Sequence, residues 1–234
     1  MKTAFNPSLP DFLIIGASKC ATTSLHAYLN RHPEIQMPTQ KELNYFTGKS
    51  NWQKGIEWYR SQFQIGPHLN GEASPSYTHY PSMTQVPKRI FDLLPKIKFI
   101  YIVRDPLERI KSHFAHRIKL KKPTPPFRDL FYTDLGRDFV AWSKYHMQIS
   151  QYLNYFDLKQ FCFIHLDDLN YHRAETLRSV FSFLEVDPNF WDWHYHVRYH
   201  VNRKTAKPLG DIPQPIKDEI LEDWRLFRKD FLLR

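Results

Sequence analysis

The segment Gly16-Ala17-Ser18-Lys19-Cys20-Ala21-Thr22-Thr23-Ser24 combines one lysine, a run of three hydroxyl residues and otherwise small side chains. That composition suits an anion. Small side chains let backbone N–H groups come close to a phosphate, and the N–H groups at a helix start carry partial positive charge. Lys19 adds a point charge, and Thr22, Thr23 and Ser24 add donors, with Cys20 and Ala21 as small fillers between them. This is not the G-x-x-x-x-G-K-[ST] order of a Walker A loop, because Lys19 precedes the hydroxyl run by three residues.

A second constellation is Val103-Arg104-Asp105-Pro106-Leu107-Glu108-Arg109-Ile110-Lys111-Ser112-His113-Phe114. Asp105 suits a helix N-cap and Pro106 the first helical position. Arg104 then stands just before the helix, where its planar fork fits a phosphate dianion. Ser112, two turns on, can offer a hydroxyl from the same side, while Arg109 is expected to make structural contacts. A third candidate region pairs Lys41-Glu42 with a following Leu43-Asn44-Tyr45-Phe46. A fourth is Gly71-Glu72-Ala73-Ser74-Pro75-Ser76-Tyr77. These two supply carboxylates able to act as a general base. His113 and His116 are further candidates for that role.

The elements that must position these residues are legible as periodicity. Phe12 to Gly16 is a short continuous apolar run ending at glycine, as in a strand buried on both faces. Lys98 to Val103 is the strongest strand, and Phe161 to Leu166 another. Ile35–Met37 and Leu69–Glu72 are short strand candidates. Helical spacing is expected from about Leu25 to His32-Pro33, over Lys54–Phe63, Val86–Leu94, from Pro106 through Phe114, over Asp138–Phe156, Ala174–Leu184 and Ile216–Phe227. Strands alternate with helices, which predicts an α/β, P-loop-like three-layer fold with a central, mainly parallel sheet flanked by helices. Ligands of such sheets bind at the carboxyl ends of strands, and both anion-binding segments lie there.

The chain has 234 residues with no linker-like interruption, so one domain over 1–234 is expected. Apolar residues make up 42%, which suffices for a core without staples. No apolar run approaches the roughly 18 residues that read as a membrane span, and the first ten residues lack a secretory h-region. A cytoplasmic protein is therefore expected. Two cysteines, Cys20 and Cys162, make no disulfide framework and are read as free thiols. The formal charge of +9 favours anionic partners, a class that includes nucleotides, acidic glycans and nucleic acid. The basic run at Lys119, Lys121 and Lys122 is read as a solvated loop. His194, His196 and His200 sit among tryptophans and tyrosines and are read as a packed aromatic segment, with no metal site assigned.

The two anion-binding segments resemble those of the PAPS-dependent sulfotransferase superfamily. Gly16-x-x-Lys19-small-small-Thr22-Thr23-x-Leu25, with His32-Pro33 at the helix end, is similar to its 5′-phosphosulfate loop, with Cys20 and Ala21 in place of the commoner glycines. Arg104-Asp105-Pro106-x-x-Arg109-x-x-Ser112-x-Phe114 is similar to its 3′-phosphate segment. Lys41-Glu42-x-Asn44-Tyr45-Phe46 resembles the K-E-x-H-[FY]-F segment of the heparan-sulfate-type members, with Asn44 in place of histidine.

The resemblance implies PAPS as sulfuryl donor, PAP as product, and no required metal. It implies that Lys19 stabilises the leaving oxygen and that Glu42 is the base. Lys19 to Ser24, Arg104 and Ser112 would hold the nucleotide, joined by Arg203 and Lys204 in a basic loop before the last helix. Lys41, Glu72 and Tyr77 would line the acceptor cleft. The residues leave glycan, lipid, small alcohol, amine and protein tyrosine open as acceptor, and the heparan-sulfate-type resemblance leans towards a carbohydrate hydroxyl. Two other classes fit the residues less well. A P-loop kinase shares the strand–loop–helix unit but needs the missing GK[ST]. A non-catalytic binder of nucleic acid or anionic glycan fits the charge, yet no nucleic-acid motif is present.

Overall fold

The computed structural model describes residues 9–49, 51–197 and 209–232. Five strands form one parallel sheet in the order β2-β3-β1-β4-β5. They are β1 (Phe12–Gly16), β2 (Ile35–Gln36), β3 (Leu69–Ala73), β4 (Lys98–Val103) and β5 (Phe161–His165). Every position of β1 is buried, and only Lys98 of β4 is not. This is the environment that its unbroken Phe-Leu-Ile-Ile run predicts, since helices cover a parallel sheet on both faces.

The helices are α1 (Thr22–Leu29), α2 (Gly55–Arg60), α3 (Val86–Leu93), α4 (Pro106–Lys119), α5 (Phe127–Leu130), α6 (Asp134–Ala141), α7 (Tyr145–Leu153), α8 (Leu166–Tyr171), α9 (Arg173–Leu184) and α10 (Gln214–Phe227). The expected α/β architecture, a central parallel sheet flanked by helices, is what the chain adopts. The main core is built on β1 and β4 and on rings such as Phe99, Tyr152, Phe156 and Phe161. A satellite core joins α4, α5, α6 and α10 through Ile110, Phe114, Leu130, Phe139 and Ile220.

The expected long helix Asp138–Phe156 is broken. It is two helices, α6 and α7, separated by Trp142–Lys144. Three buried polar groups account for the break. Arg109 is completely buried and donates to Ser143 Oγ at 2.7 Å and to the Phe139 carbonyl at 2.8 Å, which occupies the helix end. Gln148 donates to the Ala141 carbonyl at 2.9 Å. The start of α7 is capped from α10, where Asp223 accepts from the N–H groups of His146 and Met147, each at 2.9 Å. Arg109 and Asp223 come from distant helices, so helical periodicity alone runs straight through the gap.

The topology sets the site. From β1 the chain goes to β2 on one side of the sheet, and from β4 it goes to β5 on the other. β1 and β4 are direct neighbours, with Phe12 opposite Lys98 and Ile14 opposite Ile100. A crevice opens at the carboxyl ends of such a pair, at the point where the connections diverge. Lys19 follows β1 and Arg104 follows β4, so both sit at that switch point.

Candidate active site

The β1–α1 connection is tightly constrained. A Cβ on Gly16 would collide with Thr78 Oγ1 and the Tyr101 ring, so only glycine permits this passage. Beyond it Lys19 and Ala21 take left-handed conformations, with φ of 73° and 62°. Ala21 is the N-cap of α1, and no side chain caps the helix start. The N–H groups of the first turn are thus left without a side-chain cap, as an anion site requires. Thr22 and Ser24 are buried and Thr23 is half-buried.

The second segment lies against the first. The Ala17 N–H donates to the Ile102 carbonyl at 2.7 Å. Cys20 is fully buried and contacts both the Arg104 backbone and the Tyr145 hydroxyl, whose oxygen is 3.7 Å from its sulfur. Burial raises the proton affinity of this thiol, which leaves it a small filler and not a thiolate nucleophile. Asp105 caps α4 by accepting from the Glu108 N–H at 2.8 Å. Arg109 is a structural residue, as expected. Arg104 and Ser112 are both half-buried.

Among the described residues, neither the Lys19 ammonium nor the Arg104 guanidinium has a hydrogen bond or ion pair. Each of Lys41, Lys88, Lys98, Lys111 and Lys144, by contrast, lies against a carboxylate. Burial lowers the proton affinity of Lys19, and the nearby Glu42 opposes that shift. Two partly desolvated, unpaired cations at neighbouring strand ends form a site with a deficit of negative charge.

Glu42 is the accessible carboxylate of this site. Its side chain is 52% exposed and accepts an ion pair from Lys41 Nζ at 2.6 Å. Glu42 and Asn44 both hold left-handed backbone, φ 62° and 51°. Glu72 and Tyr77 are placed differently from the expected acceptor-facing pair. Both are about 1% exposed and bonded to each other at 2.8 Å inside the core. The carboxylate of Glu72 is enclosed by the Tyr59, Ser74 and Tyr77 hydroxyls, so direct acceptor contact by either residue is ruled out in this arrangement. Arg203 and Lys204 lie outside the described residues, as does His200. His194 bonds Asp192 at 2.7 Å, within the aromatic segment.

A set of stacked rings adjoins this loop, and of them His79 and Trp142 were not singled out from the sequence. Ser18 Oγ lies 2.8 Å from His79 Nε2. The His79 ring stacks on Trp142 at 3.8 Å between centroids, and His113 stacks on Phe139 at 4.3 Å. Burial and the buried Arg109 cation lower the His79 pKa to about 3 and the His113 pKa to about 2. Both imidazoles are thus neutral near pH 7, and His113 is a weak base. His116 is half-buried, and burial and then Lys19 lower its pKa. No local pattern marks His79, because its partner is 61 residues away.

The sign of this shift gives a stability prediction. The unfolded chain takes up protons on these histidines below about pH 6.5, while the folded chain resists until far lower pH. Their contribution is therefore fully present above about pH 6.5 and is lost as pH falls toward 3. Each histidine adds up to about 1.4 kcal/mol of lost stability per pH unit in that window. Thermal melts of His79→Phe and His113→Phe from pH 7 to 4 are expected to fall less steeply than those of the parent; parallel curves would refute the neutral stack.

Comparison with known proteins places this geometry. The family model for the sulfotransferase domain matches residues 9–208. The bifunctional heparan sulfate N-deacetylase/N-sulfotransferase 4 of Mus musculus is 32% identical over 204 residues, covering 78% of this chain and 23% of its own length. Heparan sulfate glucosamine 3-O-sulfotransferase 5 of Homo sapiens is 28% identical, covering 95% of this chain and 70% of its own. The chain spans about a quarter of the length of the bifunctional relatives it matches. Among solved structures, a sulfotransferase from Alicyclobacillus acidocaldarius superposes with a TM-score of 0.74 at 24% identity, covering 94% of each chain. A mouse sulfotransferase complexed with PAP superposes with a TM-score of 0.50 at 16% identity, covering 80% of this chain and 62% of that one. These two likenesses concern the fold. Among the described residues no helix is long and apolar enough to cross a membrane.

Proposed function

The chain belongs to the sulfotransferase domain family, and from that premise we propose that it transfers a sulfuryl group from PAPS to a glycan hydroxyl, releasing PAP. The observation that carries this reading is the pair of unpaired cations, Lys19 and Arg104, at the ends of the adjacent strands β1 and β4. The uncapped first turn of α1 and Lys19 suit the 5′-phosphosulfate. Arg104 and Ser112 suit the 3′-phosphate, which is the group that distinguishes this donor from ATP. The names of the heparan sulfate relatives support a carbohydrate acceptor.

The chemistry follows from charge placement. The acceptor oxygen attacks sulfur in line, and a new S–O bond forms while the bond from sulfur to the bridging phosphate oxygen breaks. The electron pair goes to that oxygen, which leaves as part of the PAP phosphate. Lys19 stabilises the charge that builds there. Glu42 takes the proton of the acceptor hydroxyl, and its exposure lets an acceptor reach it. Lys41 holds the Glu42 carboxylate in place as its ion-pair partner.

Thermal shift separates this reading from its rivals. PAP at about 100 times its Kd, without metal, is expected to raise Tm by roughly 5–10 °C. ATP with magnesium, or an oligonucleotide, is expected to give a smaller shift. A response to ATP with magnesium that exceeds the PAP response would replace the reading with a kinase. Arg104→Ala is expected to weaken PAP about 10- to 100-fold, the worth of one charge-assisted phosphate contact. Its binding of adenosine 5′-phosphosulfate, which lacks the 3′-phosphate, is expected to change little. Equal loss for both nucleotides would move Arg104 away from the 3′ end.

A further inference from the structure

Glu72 is an unusual residue for its place. It lies in an interior strand, about 1% exposed, and among the described residues no lysine or arginine is bonded to it. Its carboxylate is instead surrounded by three hydroxyls. Tyr59 donates to one oxygen, while Ser74 at 2.5 Å and Tyr77 at 2.8 Å donate to the other. Burial raises the proton affinity of the carboxyl, and the three hydroxyls oppose that shift. A carboxylate is a costly group to bury, and nothing in the pairing of β3 requires one.

The hydroxyl of Ser74 shows what Glu72 is doing. A serine hydroxyl has one proton to donate and lone pairs to accept with. Glu72 takes the proton, so a lone pair of Ser74 Oγ is turned to the Asn44 N–H, which donates to it at 2.9 Å. The segment is tied in three further ways. The Asn44 side-chain amide donates to the Glu42 carbonyl at 2.9 Å, the Asn44 side-chain oxygen accepts from Ser76 Oγ, and the Glu42 N–H donates to the Ala73 carbonyl at 3.1 Å. The result is a segment with two left-handed residues, Glu42 and Asn44, pinned across the end of β3. Left-handed backbone at a non-glycine residue persists only where the surroundings over-determine it. Asparagine tolerates that conformation better than histidine, which fits its presence at this position.

We propose that Glu72 is a positioning residue which acts through Ser74 to fix the Glu42–Asn44 backbone and so aim the Glu42 carboxylate into the crevice. This rests on the reading of Glu42 as the base only for its consequence in turnover. The fixing of the backbone stands apart from it. The placement also explains why a glutamate and a tyrosine at the mouth of β3 need not touch any acceptor.

The test is amide hydrogen exchange on the full chain, compared among the parent, Ser74→Ala, Glu72→Leu and Glu42→Gln. Loss of one hydrogen bond of ordinary strength is expected to speed exchange at the Asn44 amide about tenfold in Ser74→Ala and in Glu72→Leu, which removes the acceptor that orients the Ser74 hydroxyl. The Thr22–Thr23 amides and PAP affinity are expected to stay as in the parent. Turnover, read with PAPS and O-desulfated heparan sulfate as probe acceptor, is expected to fall about tenfold or more in Ser74→Ala. It is expected to fall no further when Ser74→Ala is added to Glu42→Gln. Unchanged exchange at Asn44 in Ser74→Ala overturns the proposal, as does faster exchange in Ser74→Ala with none in a folded Glu72→Leu. If Glu72→Leu does not fold, Ser74→Ala decides alone, since it removes only the hydroxyl that Glu72 orients. Normal turnover in Glu42→Gln would sink the base reading while leaving the exchange result to stand or fall by itself.

Discussion

Lys19→Ala is expected to lower kcat about 10²- to 10³-fold, the usual cost of removing one preorganised donor from a developing oxyanion. The structure explains why so large an effect is expected from one lysine. Its ammonium is partly desolvated and has no hydrogen bond or ion pair among the described residues, so a leaving phosphate meets a cation that no other group holds in contact, with the nearby Glu42 carboxylate favouring its charged form. The left-handed conformation of Lys19 places it on the loop and not on the helix that follows, where its direction would be set by helical geometry. Donor affinity is expected to fall less than turnover, because the helix start and Arg104 still hold the nucleotide. Steady-state kinetics with varied PAPS, together with a PAP titration, separate the two. Equal losses in kcat and affinity would mean that Lys19 only binds.

Glu42→Gln has the opposite signature in binding. PAP affinity is expected to stay within about twofold, because Glu42 is assigned to the acceptor proton and not to either phosphate, while kcat falls about 10²- to 10⁴-fold, the range attributed to a positioned general base. The substitution keeps the size of the side chain and the Asn44 and Ser74 contacts, which are made by the backbone. A fall in turnover therefore reports the carboxylate itself. Near-normal kcat would return the role of base to other groups. Glu72 would be a poor replacement since it is sealed in the core, and His113 would be a weak one since its pKa is about 2.

Much of this site was legible in the chain because its determinants are local. The β1 and β4 strands are continuous apolar runs, and their buried neighbours in the sheet are what such runs predict. The Asp105 cap and Pro106 at the first turn of α4 follow from the types of two adjacent residues, and the structure carries both. The structural use of Arg109 followed from its direction along the same helix.

What was not legible depends on partners far away in sequence. The gap between α6 and α7 is enforced by Arg109 from α4 and capped by Asp223 from α10. Glu72 reads in sequence as the end of a short strand with its carboxylate in the acceptor cleft. Only the three hydroxyls contributed by Tyr59, Ser74 and Tyr77 turn that position inward. The contact of Ser18 with His79 and the stack of His79 on Trp142 likewise join segments that no spacing rule connects.

A crystal structure with PAP tests the central claim most directly. The account predicts one nucleotide across the β1–β4 crevice, with its 5′-phosphate at Lys19 and the first turn of α1 and its 3′-phosphate at Arg104 and Ser112. PAP bound with its 3′-phosphate away from Arg104, or with the loop of Lys19 empty, would contradict it.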